Sequence, residues 1–290
     1  MNPAYIHGYS SREAGRLADQ AQTLTGILHH DTYFPPGSHI LEAGCGTGSQ
    51  TIIIAGQNPE CIFQSVDISP SSLAVARDRI SSALPISSSR ITFEQADIHA
   101  LPYEDSTFDH IFICFVLEHL TSPHAALTEL RRVLKPAGTI TVIEGDHGSV
   151  FFSPQSHAAM QAISSQIELQ HRAGGDACIG RRLYPLLIEA GFENLHVSPR
   201  MVYVDATMPD LIEGFTRKTF TAMIKGIKEE AIQSELISEE QFDAGVRDLY
   251  RTCEPDGTFC YTFFKATGRK PGERKADIPA TFRGKTRERR

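Results

Sequence analysis

Two stretches of the chain carry residue types at spacings that can do chemistry. The first is Ile40-Leu41-Glu42-Ala43-Gly44-Cys45-Gly46-Thr47-Gly48, a short apolar run that ends in an acid and passes into three alternating glycines. Glycine is needed where the main chain turns with φ > 0, and where a ligand must approach the backbone without meeting a Cβ. One or two glycines would serve a tight strand-to-helix turn. An acid followed by three at this spacing points to a nucleotide-like ligand on the turn. The dinucleotide fingerprint G-x-G-x-x-G/A would need Gly or Ala at position 49 or 51, where the chain has Ser49 and Thr51, so NAD and FAD fit poorly. The second stretch is Val142-Ile143-Glu144-Gly145-Asp146-His147-Gly148-Ser149, dense in ionisable groups. His147 titrates near neutral pH and can act as a general base, with Glu144 and Asp146 orienting it or holding a cationic substrate. On a mobile loop the same residues would serve equally to solvate the chain and cap the segment that follows.

These residues need elements to position them, and the hydrophobic pattern supplies a set. Short apolar runs ending in Gly, Asp or Ser alternate with helical periodicity, the mark of repeated βαβ units and a parallel sheet. Strands are expected near 38 to 43, 61 to 67, 91 to 96, 109 to 115 and 138 to 144. Ser69-Pro70, Ser122-Pro123 and Ser153-Pro154 each read as an N-cap followed by proline at the first helical position. The helix over 122 to 135 should bury Ala126, Leu130, Val133 and Leu134. Beyond it, long helices are expected over 154 to 173 and 208 to 232, and a capping box at Ser238 and Gln241 opens another over 239 to 252. Strand-like stretches at 194 to 204 and 258 to 267 remain to extend the sheet. A helix over 11 to 29 precedes the first strand and must pack on the domain as a lid or flank.

Composition narrows the function classes. The longest apolar run, Ile111 to Leu117, falls well short of the roughly 20 residues a membrane helix needs, and the first residues hold no signal-peptide core. A cytoplasmic protein with reduced thiols is expected, since the six cysteines form no C-x-x-C pair and no zinc or other metal site is legible. Net charge is −7, but nine Lys or Arg against three acids from Arg269 onward leave the body at −13. The body repels polyanions, and the tail reads as a solvated terminus with too few apolar residues to pack.

The E-x-G-x-G-x-G stretch resembles motif I of class I S-adenosylmethionine-dependent methyltransferases, in the branch acting on small molecules. In that family the methionine part of the cofactor lies over the glycine loop, which implies contacts from Glu42, Gly44, Cys45, Gly46 and Gly48. Asp67, closing a second strand 19 residues beyond Gly48, would accept both ribose hydroxyls, with Ile68 beside it. Asp97 would take the adenine amino group and Ile98 would wall the ring. Phe108 to Leu120 looks like the family's F-D-x-x...LEHL segment, which brings Phe115 beside the reactive methyl and makes Glu118-His119 more structural than catalytic. Arg181 to Phe192 is similar to the R-x-L-x-x-L-L-x-x-A-G-F stretch of many small-molecule members. The segment from Tyr5 to Glu13 would close over the cofactor, with Tyr9 and Arg16 near the sulfonium.

The fold class implied is α/β, a Rossmann-like doubly wound seven-stranded sheet with strand seven antiparallel. The resemblance places an N-terminal helical lid at 1–34, the methyltransferase domain at 35–268 with cap elements within about 150–180 and 205–255, and a basic tail at 269–290. The activity implied is in-line transfer of a methyl group to O, N or C of a small-molecule acceptor, by a monomer or homodimer that uses neither nucleic acid nor membrane. The N/D-P-P-Y/F motif of exocyclic-amine methyltransferases is absent after strand four, and no cysteine follows a proline as a cytosine C5 nucleophile would. The rivals are a protein that binds S-adenosylmethionine or S-adenosylhomocysteine without transferring the methyl and, on weaker grounds, an NAD(P)-dependent oxidoreductase.

Overall fold

Seven strands form one sheet in the order β3-β2-β1-β4-β5-β7-β6 in the computed structural model, which describes residues 11–84 and 88–272, omitting the side chains of 11–14 and 88. The strands are β1 (His39–Ala43), β2 (Ile62–Asp67), β3 (Ile91–Gln95), β4 (Phe108–Cys114), β5 (Leu134–Ser153), β6 (Glu193–Val204) and β7 (Thr258–Arg269). β1 to β5 pair parallel, whereas β7 lies antiparallel between β5 and β6, as the resemblance implied. Tyr9 and the chain beyond Gly272 lie outside the described residues.

Parallel neighbours require crossovers, and helices supply them. After α1 (Ser11–Leu28), the crossovers are α2 (Ser49–Gln57), α3 (Pro70–Ala83) and α4 (Pro123–Val133). Ser69 caps α3 as its spacing predicts, its side chain accepting from the N–H of Ser72 behind Pro70. Ala126, Leu130, Val133 and Leu134 are all fully buried. They belong to a core on one face of the sheet that also holds Leu183 and Leu187 of α6 (Leu183–Glu189). The other face buries Leu24 and Leu28 of α1, Phe215, Phe242, Phe259 and Phe263, so both faces are covered.

The C-terminal half departs from expectation in three places. β5 does not end near 144 but runs on to Ser153 against β7, with a register shift between Asp146 and Phe151. The stretch read as a mobile loop, 144 to 149, is therefore strand. Ser153 is consequently held in the sheet opposite Thr258, and the cap of α5 (His157–Arg172) passes to Ser156, which accepts from the N–H of Ala159. The single helix expected over 208 to 232 is broken into α7 (Pro209–Leu211), a π-helical stretch Ile212–Thr221, α8 (Ala222–Gly226) and α9 (Lys228–Gln233). The capping box of α10 (Glu239–Arg251) forms as the sequence predicts. β7 reaches Arg269, and Lys270 exchanges main-chain hydrogen bonds with Ala137 and Gly138, so the sheet carries past the boundary expected at 268. No helix among the described residues is long and apolar enough to cross a membrane.

The end of α1 is fastened to the sheet by buried polar groups. Lys265, 3% exposed on β7, donates from Nζ to Asp31 Oδ1 at 2.6 Å and Thr32 Oγ1 at 2.7 Å. His29 is fully buried, with Nε2 2.8 Å from Gln50 Oε1. Burial, reinforced by the Lys265 charge, lowers its pKa from 6.5 to about 4. The unfolded chain takes up the proton near 6.5 and the folded chain only near 4, so stability is lost as pH falls through that window. The loss amounts to about 3 kcal/mol at most. The urea midpoint of the wild type should fall more steeply between pH 6.5 and 4.5 than that of His29→Asn; parallel pH curves would remove His29 from the acid sensitivity.

Candidate functional site

The glycine loop sits at the carboxyl end of β1, where open α/β sheets place their ligands. Gly44, Gly46 and Gly48 have φ of 77°, 52° and 76°. The three are glycine for different reasons. A Cβ on Gly44 would stand 2.4 Å from Val116 Cγ2, and one on Gly48 3.1 Å from Ala76 Cβ, so these two are needed for close packing. Around Gly46 no atom lies within 4 Å of where a Cβ would be, and the main chain is open to an approaching group. The N–H groups of Gly44 and Cys45 both donate to Val66 O, at 2.8 and 2.9 Å, tying the loop to β2.

Asp67 closes β2 directly beside this loop. Its Oδ2 accepts from the Gly46 N–H at 2.7 Å, and its Oδ1 from the Ser69 N–H at 2.9 Å. Burial raises its pKa, while these two N–H bonds oppose the rise. Each oxygen keeps a second acceptor site for a hydroxyl. Glu42 lies deeper, 2% exposed, with Oε2 accepting from Thr51 Oγ1 and Ser65 Oγ, both at 2.7 Å. Burial pushes its pKa up to about 7. Through Oε2 it braces the loop from below, joining α2 to β2. Cys45 is 5% exposed, and burial lifts its thiol well above the ordinary range, which disfavours the thiolate.

Asp97 and Ile98 follow β3 on the neighbouring rim. Asp97 Oδ1 accepts from the main-chain N–H of His99 at 2.9 Å and lies 2.9 Å from its Nδ1. The His99 N–H is the main reason its pKa is lowered. Ile98 is buried, and Ile68 is 40% exposed with its carbonyl accepting from Gln95 Nε2.

The ends of β4 and β5 make the opposite wall. Phe115 takes φ of 58°, donates its N–H to Ile143 O at 2.9 Å, and sets its ring 5.4 Å from that of Phe263. The three ionisable residues of β5 do not act together as expected. Glu144 is fully buried, and its Oε1 accepts from the N–H groups of Val116 and Leu117 at 3.0 and 2.7 Å. Burial, then the neighbouring Glu118, raises its pKa well above the usual range, while the N–H bonds oppose the rise. Asp146 is bound bidentately by Arg181, with both contacts at 2.7 Å. Neither carboxylate hydrogen-bonds the imidazole among the described residues, which corrects their expected role as its orienters. The partner of His147 is Tyr261 of β7, its hydroxyl 2.7 Å from Nδ1.

Sequence reasoning missed Tyr261, 114 positions away, because only the pairing of β5 with β7 brings it alongside; it missed the Arg181 pairing because the turn Ile179–Arg182, 35 positions on, meets Asp146 only in the folded chain. Glu118 is mostly buried, with its carbonyl accepting from Asp176 N and Gln170 Nε2. Arg16 donates to Gln20, and its charge also acts on His147. No cluster of three potential metal ligands occurs among the described residues.

Residues 35–191, more than half of the chain, match the family described as "Methyltransferase domain". The chain belongs to that family. It is 27% identical over 266 residues to the 27-O-demethylrifamycin SV methyltransferase of Amycolatopsis mediterranei, covering 91% of this chain and 89% of that protein. It is 32% identical over 210 residues to an uncharacterized 37.1 kDa protein in transposon TN4556 of Streptomyces fradiae, covering 72% of this chain and 59% of that one. Against several other methyltransferase relatives the match spans about two to three fifths of their length. The [4+2]-cyclase SpnF has a similar fold, with TM-score 0.54 and 22% identity over 88% of this chain and 82% of that one.

The Glu144 geometry makes a stability prediction. Glu144→Gln keeps an acceptor for the two N–H groups and should unfold thermally close to the wild type. Glu144→Ala strips both donors of their partner and should cost about 2 kcal/mol or more. Equal losses in the two variants would show that the acceptor role is not what Glu144 contributes.

Proposed function

We propose that the protein is an S-adenosylmethionine-dependent methyltransferase whose acceptor is a small molecule. The observation that carries the reading is the open main chain at Gly46 lying against the Asp67 carboxylate, in a chain of the methyltransferase-domain family. The residues fit the cofactor. Gly46 offers open main chain on which an amino-acid moiety can rest, Gly44, Cys45 and Gly48 complete the turn around it, and Glu42 holds that backbone in shape. Asp67 has two acceptor sites left for vicinal hydroxyls. Asp97 can take an exocyclic amine, between apolar walls from Ile98 and Ile68. Phe115 stands where the sulfonium would lie, and its ring face favours a cation. Tyr9, which lies outside the described residues, is assigned to the cofactor by the sequence resemblance alone.

The cofactor supplies an electrophilic methyl group. The chain supplies position: donor and acceptor must be collinear at near-attack distance, with water kept out. Phe215, Phe220, Tyr261 and Phe263 form an aromatic cluster around the acceptor end, with ring centroids 4.6 to 6.5 Å apart. That wall suits an acceptor with an apolar body, met by His147 as the polar group. Glu144 and Asp146 serve the chemistry by fixing the backbone around it. A body charge of −13 argues against a polyanionic substrate.

Calorimetry with S-adenosylhomocysteine should show Asp67→Ala binding at least about tenfold more weakly than wild type, the loss expected for charged hydrogen bonds to the ribose. Unchanged affinity in a variant that is still folded by thermal unfolding would take Asp67 out of the site.

A further inference from the structure

The hydroxyl of Tyr261 is the hydrogen-bond partner of the imidazole proposed for the acceptor end. Tyr261 is 2% exposed and His147 is 7% exposed. The phenol is ringed by Phe215, Phe220 and Phe263, at centroid distances of 5.8, 5.6 and 4.6 Å. It lies flat against β5 because position 145 is glycine; a Cβ there would stand 2.4 Å from the phenol oxygen. The pair is thus built into the sheet.

Counting protons decides how the 2.7 Å contact is made. If the phenol donates to Nδ1, its proton is satisfied and the ring proton sits on Nε2. If Nδ1–H donates to the phenol oxygen, the phenol proton is left among aromatic rings with no acceptor among the described residues, which is unfavourable. An ionised pair is opposed on both sides, since burial lowers the His147 pKa and raises that of Tyr261. The charges that act on the ring, Glu118 and Asp146 against His119 and Arg16, oppose one another.

We infer that Tyr261 is a positioning residue that fixes His147 as the Nε2–H tautomer, so that the imidazole meets the acceptor as a hydrogen-bond donor and not as a base. The inference rests on the methyltransferase reading and adds the chemistry of the acceptor. The molecule must offer a lone pair to Nε2–H, as a carbonyl, enolate or phenolate oxygen does. An ammonium acceptor would set N–H against N–H.

The test is long-range proton–nitrogen NMR on the full chain labelled with 15N-histidine, with the His147 signals assigned from their absence in His147→Gln. The wild type should show the Nε2–H tautomer at pH 7, and Tyr261→Phe should shift the Nδ1 resonance as its donor is lost. An Nδ1–H tautomer or an imidazolium in the wild type overturns the inference, as does an Nδ1 resonance unmoved in Tyr261→Phe. If that variant fails to fold, the wild-type tautomer decides alone. S-adenosylhomocysteine calorimetry on the wild-type sample separates the two claims, because retained binding with the wrong tautomer sinks only this one.

Discussion

A single carboxylate, Asp67, ties together the parts on which the proposed cofactor site depends. It accepts main-chain hydrogen bonds from Gly46 in the loop after β1 and from Ser69 at the entry to α3. Charge-assisted bonds of this kind are roughly twice as strong as neutral ones. They offset the cost of holding the carboxylate half out of water, a cost visible in its raised pKa. The parallel register of Ala43 against Val66 brings loop and carboxylate to the same rim, so the arrangement follows from strand pairing and needs no separate device.

The other buried ionisable groups of the rim are arranged by the same physics. A polar group taken out of water must find partners or lose its charge. Glu42 and Glu144 do some of each: both are pushed toward the neutral acid by burial, and both accept hydrogen bonds that fix a loop. Glu42 secures the glycine turn from beneath, and Glu144 secures the chain after Phe115. Lys265 and His29 do the equivalent at the far side, where the end of α1 meets the sheet. These side chains hold the loops and the end of α1 against the sheet.

The acceptor side is assembled differently. β5 continues well past the point where the apolar run stops because β7 returns antiparallel beside it and pairs with the polar segment. That return brings Tyr261 to His147, while Asp146 pairs with Arg181. The π-helical stretch Ile212–Thr221 then lays Phe215 and Phe220 over the same strands. The similarity to a [4+2]-cyclase is a reminder that such a fold does not fix the reaction.

The sequence by itself determined the alternation of strands and helices, the glycine turn, the Ser69 and Ser238 caps and the carboxylate at the end of β2. All of these are local signals, written in residues a few positions apart through side-chain period, φ > 0 and capping geometry. The tertiary structure alone decided that 144 to 149 is strand, that Ser153 gives up its expected capping role to Ser156, and that Glu144, Asp146 and His147 have separate partners. The strand extension, the placing of Ser153 and the His147 pairing depend on β7, more than a hundred positions further along the chain, while Glu144 finds the chain after β4 and Asp146 the turn that holds Arg181. A one-residue difference in strand register would turn every one of these side chains to the other face of the sheet.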